Sequence, residues 1–146
     1  MIAFLDHTAL CALYEGGAGQ RQVLEAACQE CVFAIAVISK VIFATRLDDL
    51  LAAGTPVEVV EAMGRGFMED EASFVKISTD AVLAEAMVLA IRHHLKAEQS
   101  IQLATVLYMQ DQIFKETQLD HTVVFVTQDS SLARAAQFEG VLLGSI

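Results

Sequence analysis

Basic residues are scarce in this chain: nine, against 19 acidic ones in 146. Nucleic-acid affinity comes largely from cations that displace counterions from phosphate. The nine (Arg21, Lys40, Arg46, Arg65, Lys76, Arg92, Lys96, Lys115 and Arg134) form no run or stripe, and the net charge is −10. Avid non-specific binding of RNA or DNA is therefore not expected, although a local patch stays open. No uncharged apolar run approaches the ~18 residues that span a bilayer. The N-terminus has neither a basic region nor a cleavage site, so the expected location is the cytoplasm, with no membrane partner. Tryptophan is absent, and the single proline, Pro56, marks a helix start rather than a linker. Three cysteines leave an odd thiol, which argues against a disulfide framework. Cys28 and Cys31 have CxxC spacing but no second pair and no suitably spaced histidine. They fall at the end of a helix expected over 20–30, the pole that disfavours a thiolate, so core packing is preferred to redox chemistry.

What is present is apolar. A hydrophobic content of 55% suits one globular domain over 1–146. A mean hydropathy of +0.50 further suggests that some apolar surface meets a partner. Strands are expected at 2–5, 32–38, 74–77, 122–127 and 141–143. The second is apolar throughout, as in a sheet covered on both faces. A short helix through Leu10, Leu13 and Tyr14 follows the first strand, and the helix over 20–30 rests on Val23, Leu24, Ala27 and Cys28. Ser39 is read as the cap of a helix reaching about Ala53, with Gly54 as its stop. Thr55-Pro56 opens another, since proline fits a first turn. Ser78 is read as the cap of a long helix with a broad apolar face of Val82, Leu83, Ala86, Val88 and Leu89. A helix around 100–109 and one over 130–138 complete the set. Strands alternating with helices imply an α/β, mostly parallel, doubly wound sheet.

The segment from Val123 to Gly140 is the most informative. Its β-branched run ends in Thr127-Gln128-Asp129, then a short amphipathic helix runs to a glycine. A carboxylate thus stands at the carboxyl end of a buried strand, where open α/β sheets hold ligands. Ile2-Ala3-Phe4-Leu5-Asp6 repeats the arrangement. Two acids on two strand ends suggest a divalent-metal site, although each can equally be an ordinary helix cap.

Four features together resemble the PIN domain, the fold of the VapC-type ribonuclease toxins, over nearly the whole chain. They are the strand-plus-Asp opening, the Ile38-Ser39 helix start, the Leu95…Leu103-Ala104-Thr105 helix, and Thr127-x-Asp129-x-x-Leu132-Ala133-x-x-Ala136-x-x-x-Gly140. The resemblance implies a five-stranded sheet of order 3-2-1-4-5, with Asp6 and Asp129 facing one another across its switch point. It implies metal-assisted phosphodiester hydrolysis, in which acids hold one or two Mg²⁺ or Mn²⁺ ions that activate water. It also implies a homodimer and a small antitoxin-like protein partner.

The chain departs from the family pattern at two places. A glutamate is expected in the helix after strand 2, but Ile42-Phe43-Ala44 is followed by Thr45. An aspartate is expected before the later helix's Leu103-Ala104, but Gln99 stands there. A carboxylate about 4 Å from a divalent ion contributes on the order of 8 kcal/mol of gross attraction at an effective dielectric near 20. If only ~2 kcal/mol per group survives desolvation, losing two weakens metal binding roughly a thousandfold. Asp48 and Asp49 share the face of Thr45 but lie about one turn, ~5 Å, further on. Glu98 is rotated by ~100° from Gln99, and Asp111 lies some 18 Å away along the helix. Asp49 and Glu98 are therefore the candidate substitutes. His7 is expected to be exposed, His93-His94 to form a solvated helix end, and Met63, Met68, Met87 and Met109 to fill the core.

The preferred reading is a degenerate PIN-like domain, catalytically weak or inactive, that serves as a binding or regulatory module. An antitoxin-like peptide in an apolar groove among the N-terminal helices, or a second copy, is its expected partner. The alternative is an active Mg²⁺-dependent endoribonuclease of a toxin–antitoxin pair, with RNA as its substrate. An unrelated domain such as a phospho-receiver would need an acidic pair after strand 1 and an Asp after strand 3. The chain has a single Asp6 and then Ile77-Ser78-Thr79.

Overall fold

The computed structural model describes residues 1–16, 22, 31–117 and 123–144. The helix expected over 20–30, with Cys28 of the CxxC pair, lies outside the described residues. Five strands form one sheet: β1 (Ile2–Leu5), β2 (Val32–Ala36), β3 (Val75–Ile77), β4 (Val123–Val126) and β5 (Leu142–Gly144). Their order is β3-β2-β1-β4-β5, and all four pairings are parallel. Six helices are described: α1 (His7–Glu15), α2 (Ile38–Ala52), α3 (Val57–Asp70), α4 (Leu83–His93), α5 (Ala97–Thr117) and α6 (Ser130–Phe138).

Alternation along the strands feeds a core on each face of the sheet. Ala3, Leu5, Ile35 and Val126 pack with Leu10, Leu13, Phe43, Met63 and Phe67 of α1, α2 and α3. Phe4, Ala34, Ala36 and Phe125 pack with Ala86, Leu89, Leu103, Val106 and Leu132 of α4, α5 and α6. The Phe4 and Phe125 rings sit 5.8 Å apart, as their direct cross-strand pairing requires. That pairing also sets Leu5 opposite Val126. The next residues, Asp6 and Thr127, therefore emerge side by side where the chain leaves the sheet in opposite directions.

Several local expectations need correction. Val37 turns out of the sheet and Ile38 begins α2, so the second strand stops at Ala36. Ser39 is not a cap. It lies buried inside α2 and accepts a 2.8 Å bond from Gln102 Nε2 of α5. Ser78 is not a cap either, because α4 starts at Leu83 and Val82 precedes it without a side-chain bond. Met63 and Met109 are core, but Met68 and Met87 are exposed. His93 is half-buried, paired with Glu139 and edge-on to Phe138, while His94 is exposed and ends α4 at φ 54°. Gly54 and Gly140 follow their helices with φ of 91° and 79°, the left-handed geometry that glycine adopts without strain.

Candidate functional site

Both strand-end carboxylates are helix caps. Asp6 is fully buried, and its Oδ1 accepts from Ala9 N at 2.8 Å, closing the first turn of α1. Asp129 Oδ1 accepts from Ser131 N and Leu132 N at 2.9 and 3.0 Å, doing the same for α6.

Two threonines join the caps into one network. Thr8 Oγ1 donates to Asp6 Oδ1 at 2.7 Å and Thr127 Oγ1 donates to Asp6 Oδ2 at 2.6 Å. Each hydroxyl also accepts a backbone N–H from the 127–129 turn, Thr8 from Gln128 and Thr127 from Asp129. A hydroxyl both gives and takes, so each threonine connects a buried carboxylate to the loop above it. Burial pushes the Asp6 carboxyl above its ordinary value, and the bonds from Thr127, Ala9 and Thr8 oppose it. Asp129 moves the other way. Burial is again its largest influence and would raise it, but Gln99, the Leu132 and Ser131 N–H groups and the His7 charge together hold it below the usual carboxylate value.

Gln99 joins the same network. Its Oε1 accepts from Lys96 N at 2.8 Å, which caps α5 from within its first turn. Its Nε2 donates to Asp129 Oδ2 at 2.6 Å. Thr45 is exposed, and its hydroxyl is turned back onto the Val41 carbonyl of its own helix at 3.0 Å.

With two carboxylates and the Gln99 amide beside them, this donor set is poor in charge for Mg²⁺ or Mn²⁺, hard cations that take oxygen ligands. Among the described residues no three His, Cys, Asp or Glu side chains come together as a metal-holding group. All four carboxylate oxygens of Asp6 and Asp129 already accept a bond from a protein donor.

Beside the network opens a cavity of about 620 Å³, walled by α1, α2 and the first turns of α5. Thr45, Asp49 and Glu98 line it together. His7 lines it too, half-buried rather than exposed, with Nδ1 buried and without a hydrogen-bond partner among the described residues. Asp111 lies elsewhere, on a smaller cavity between α4 and α5. Sequence reasoning missed Cys11 and the Arg46–Glu15 pair on the main cavity, and the Ser39–Gln102 bond that joins α2 to α5. It also missed the two bridging threonines. The adjacency of Asp6 to Thr8 and of Asp129 to Thr127 was the available signal.

No protein-family model matches the sequence, and no curated protein is similar to it at a significant level. Solved structures are similar in fold. PAE2754 from Pyrobaculum aerophilum superposes with a TM-score of 0.60 at 18% identity, over 92% of this chain and 79% of its own. VapBC2 from Rickettsia felis, bound to a DNA fragment from its promoter, gives 0.57 at 14% identity over 99% of this chain and 98% of its own. FitAcB from Neisseria gonorrhoeae gives 0.58 at 13% identity over 98% and 96%. The shared architecture and the sheet order 3-2-1-4-5 make this chain PIN-like in fold.

Proposed function

We propose that this chain is a single PIN-like domain with weak or no nuclease activity, acting as a binding or regulatory module. One hydrogen bond carries the reading: Gln99 Nε2 to Asp129 Oδ2, at 2.6 Å. Two carboxylates at these positions would repel and need a cation between them. An amide and a carboxylate hold each other with no cation. The similar solved structures include the toxin–antitoxin assemblies VapBC2 and FitAcB, which supports an antitoxin-like protein as partner. A second copy is the other partner proposed, seated on the exposed stripe Leu83, Met87 and Ile91 of α4. These residues lie at i, i+4 and i+8, so an antiparallel copy would set Leu83 against Ile91 and Met87 against itself. No described helix is long and apolar enough to cross a membrane, and a cytoplasmic location is part of the proposal.

A second reading, the Mg²⁺-dependent endoribonuclease, has one observation in its favour: Asp49 and Glu98 share the cavity wall with Thr45. Calorimetric titration of metal-free protein with Mn²⁺, paired with an RNA cleavage assay, separates the two. The first reading expects no saturable heat up to millimolar Mn²⁺ and no cleavage. Micromolar binding and cleavage, both lost in Asp6→Asn and Asp129→Asn, would overturn it in favour of the second.

A further inference from the structure

We propose that the main cavity binds a small organic cation, an ammonium or guanidinium carried on an apolar chain. The inference rests on the reading that no metal holds a phosphate here, and it concerns what the cleft takes instead.

Size and wall come first. A volume of about 620 Å³ lies within the range of small-ligand sites, which are mostly apolar with a few placed polar groups. Ala12, Ile42 and Ile101 come from three different helices to form the wall. Cys11 extends it as a neutral thiol, because burial and the nearby Glu15 push it up to about 11. A bare phosphodiester gains little from such a surface.

Charge selects the sign of the ligand. Among the described residues Arg46 is the one Lys or Arg on the lining, and Glu15 holds it with two bonds, Nε to Oε1 at 2.6 Å and Nη2 to Oε2 at 3.1 Å. That fork uses the guanidinium edge that would otherwise grip an anion. Asp49 and Glu98 stand on the same lining, and among the described residues neither has an ion-pair partner. Among the described residues the lining carries three carboxylates, Glu15, Asp49 and Glu98, against one guanidinium that Glu15 already holds and that also faces Asp49, so an entering anion meets an acidic excess that an ammonium would offset. The unpartnered Nδ1 of His7, on the same wall, is an acceptor in one tautomer for a ligand N–H.

The test uses three probes of one shape: hexylammonium, hexanol and hexanoate. Binding is followed by NMR at the methyl groups of Ile42 and Ile101 in physiological salt, where diffuse attraction to an acidic protein is screened. Hexylammonium should shift these methyls saturably in the millimolar range or tighter, hexanol more weakly, and hexanoate not at all. Asp49→Asn with Glu98→Gln should weaken hexylammonium about fivefold or more and leave hexanol unchanged. Equal binding of hexanoate, unchanged binding in the double variant, or hexylammonium shifts that are absent or fail to saturate would each overturn the proposal. Repeating the Mn²⁺ titration on the same sample keeps the two readings apart. Silence toward both probes sinks the ligand alone, while Mn²⁺ binding lost in Asp6→Asn sinks the reading beneath it.

Discussion

At the scale of the residue, Asp6 and Asp129 occupy equivalent places and are driven in opposite directions. Asp6 is raised above 3.8 by burial, so the folded state holds its proton more tightly than the unfolded state. Its contribution to stability is therefore best below about pH 3.8 and declines as pH rises through the raised folded value. Asp129 is lowered, so its contribution is complete above about pH 3.8 and is lost as pH falls through the depressed folded value. Asp6→Asn is expected to raise stability at neutral pH, by less than about 1 kcal/mol: it removes a buried charge and keeps an oxygen for Ala9 N and Thr8, while its amide N–H replaces the oxygen that accepted from Thr127, whose hydroxyl must then accept instead. Urea unfolding at pH 7 checks this, and a loss of stability would mean that the charge itself is structural. Asp129→Ala should cost about 1 kcal/mol through loss of the α6 cap, with Asp129→Asn costing less. Equal losses from the two would show that charge, not capping, is what Asp129 supplies. That Thr45 and Gln99 stand where the resemblance implies carboxylates was legible from the sequence. What Gln99 does instead was not, because its partners are Lys96 next in space and Asp129 thirty positions on.

At the scale of the element, α4 is apolar on two faces. Val82 just before it, then Ala86 and Leu89, are buried in the core, while Leu83, Met87, Val88 and Ile91 are exposed, Met87 at 70% and Ile91 at 78%. Phe138, 77% exposed and packed edge-on to His93, continues the surface onto α6. A helix apolar all round is normally covered on all sides, and contiguous patches of a few hundred Å² mark interaction sites. Met87→Glu with Ile91→Glu is therefore expected to convert a dimer to a monomer in size-exclusion chromatography with light scattering, with little change in the thermal midpoint. A wild-type chain that is already monomeric at high concentration would refute the pairing. The hydropathy pattern showed that α4 is apolar, but periodicity alone cannot say which of two apolar faces is inside. Strands were easier to read, since β-branched runs between turns place 2–5, 122–127 and 141–143 within a residue of β1, β4 and β5. Caps were harder. A serine ahead of an apolar run is the usual cap signal, yet Ser39 is buried by a bond to Gln102, 63 positions away. No local window contains that fact. The helix around 100–109 proved longer: its continuation to Thr117 is mostly polar, and Ile113, one turn beyond Met109, carries its packing onto the core.

At the scale of the whole molecule, the acidic excess is the dominant electrostatic fact. Net charge of −10 resists compaction by self-repulsion and also repels polyanions. The ion pairs among the described residues are close contacts: Arg46 to Glu15, Arg65 to Glu61, Lys115 to Asp111, Arg92 and His93 to Glu139, and Lys40 with Lys76 around Glu71. Each neutralises a base that would otherwise be available to phosphate. Added salt screens the long-range repulsion more than these contacts, because the Debye length falls from ~30 Å at 0.01 M to ~10 Å at 0.1 M. The thermal midpoint is therefore expected to rise by a few degrees, about 2–5 °C, between those ionic strengths, where a protein held mainly by exposed ion pairs would soften. The same field sets the response to nucleic acid. A protein that binds RNA through phosphate contacts shows affinity falling steeply with salt, by about one power of concentration per contact. This chain should show no retention of a single-stranded RNA even at low salt, and so no slope to measure. Fluorescence anisotropy with a labelled oligonucleotide decides it. Salt-sensitive binding of several contacts would mean that Arg46 and its neighbours are released from their acidic partners to meet phosphate, and would restore a nucleic-acid role to the cleft. Absence of binding alongside a salt-raised midpoint would leave the acidic surface with the cationic and apolar ligands that its cleft and its α4 stripe describe.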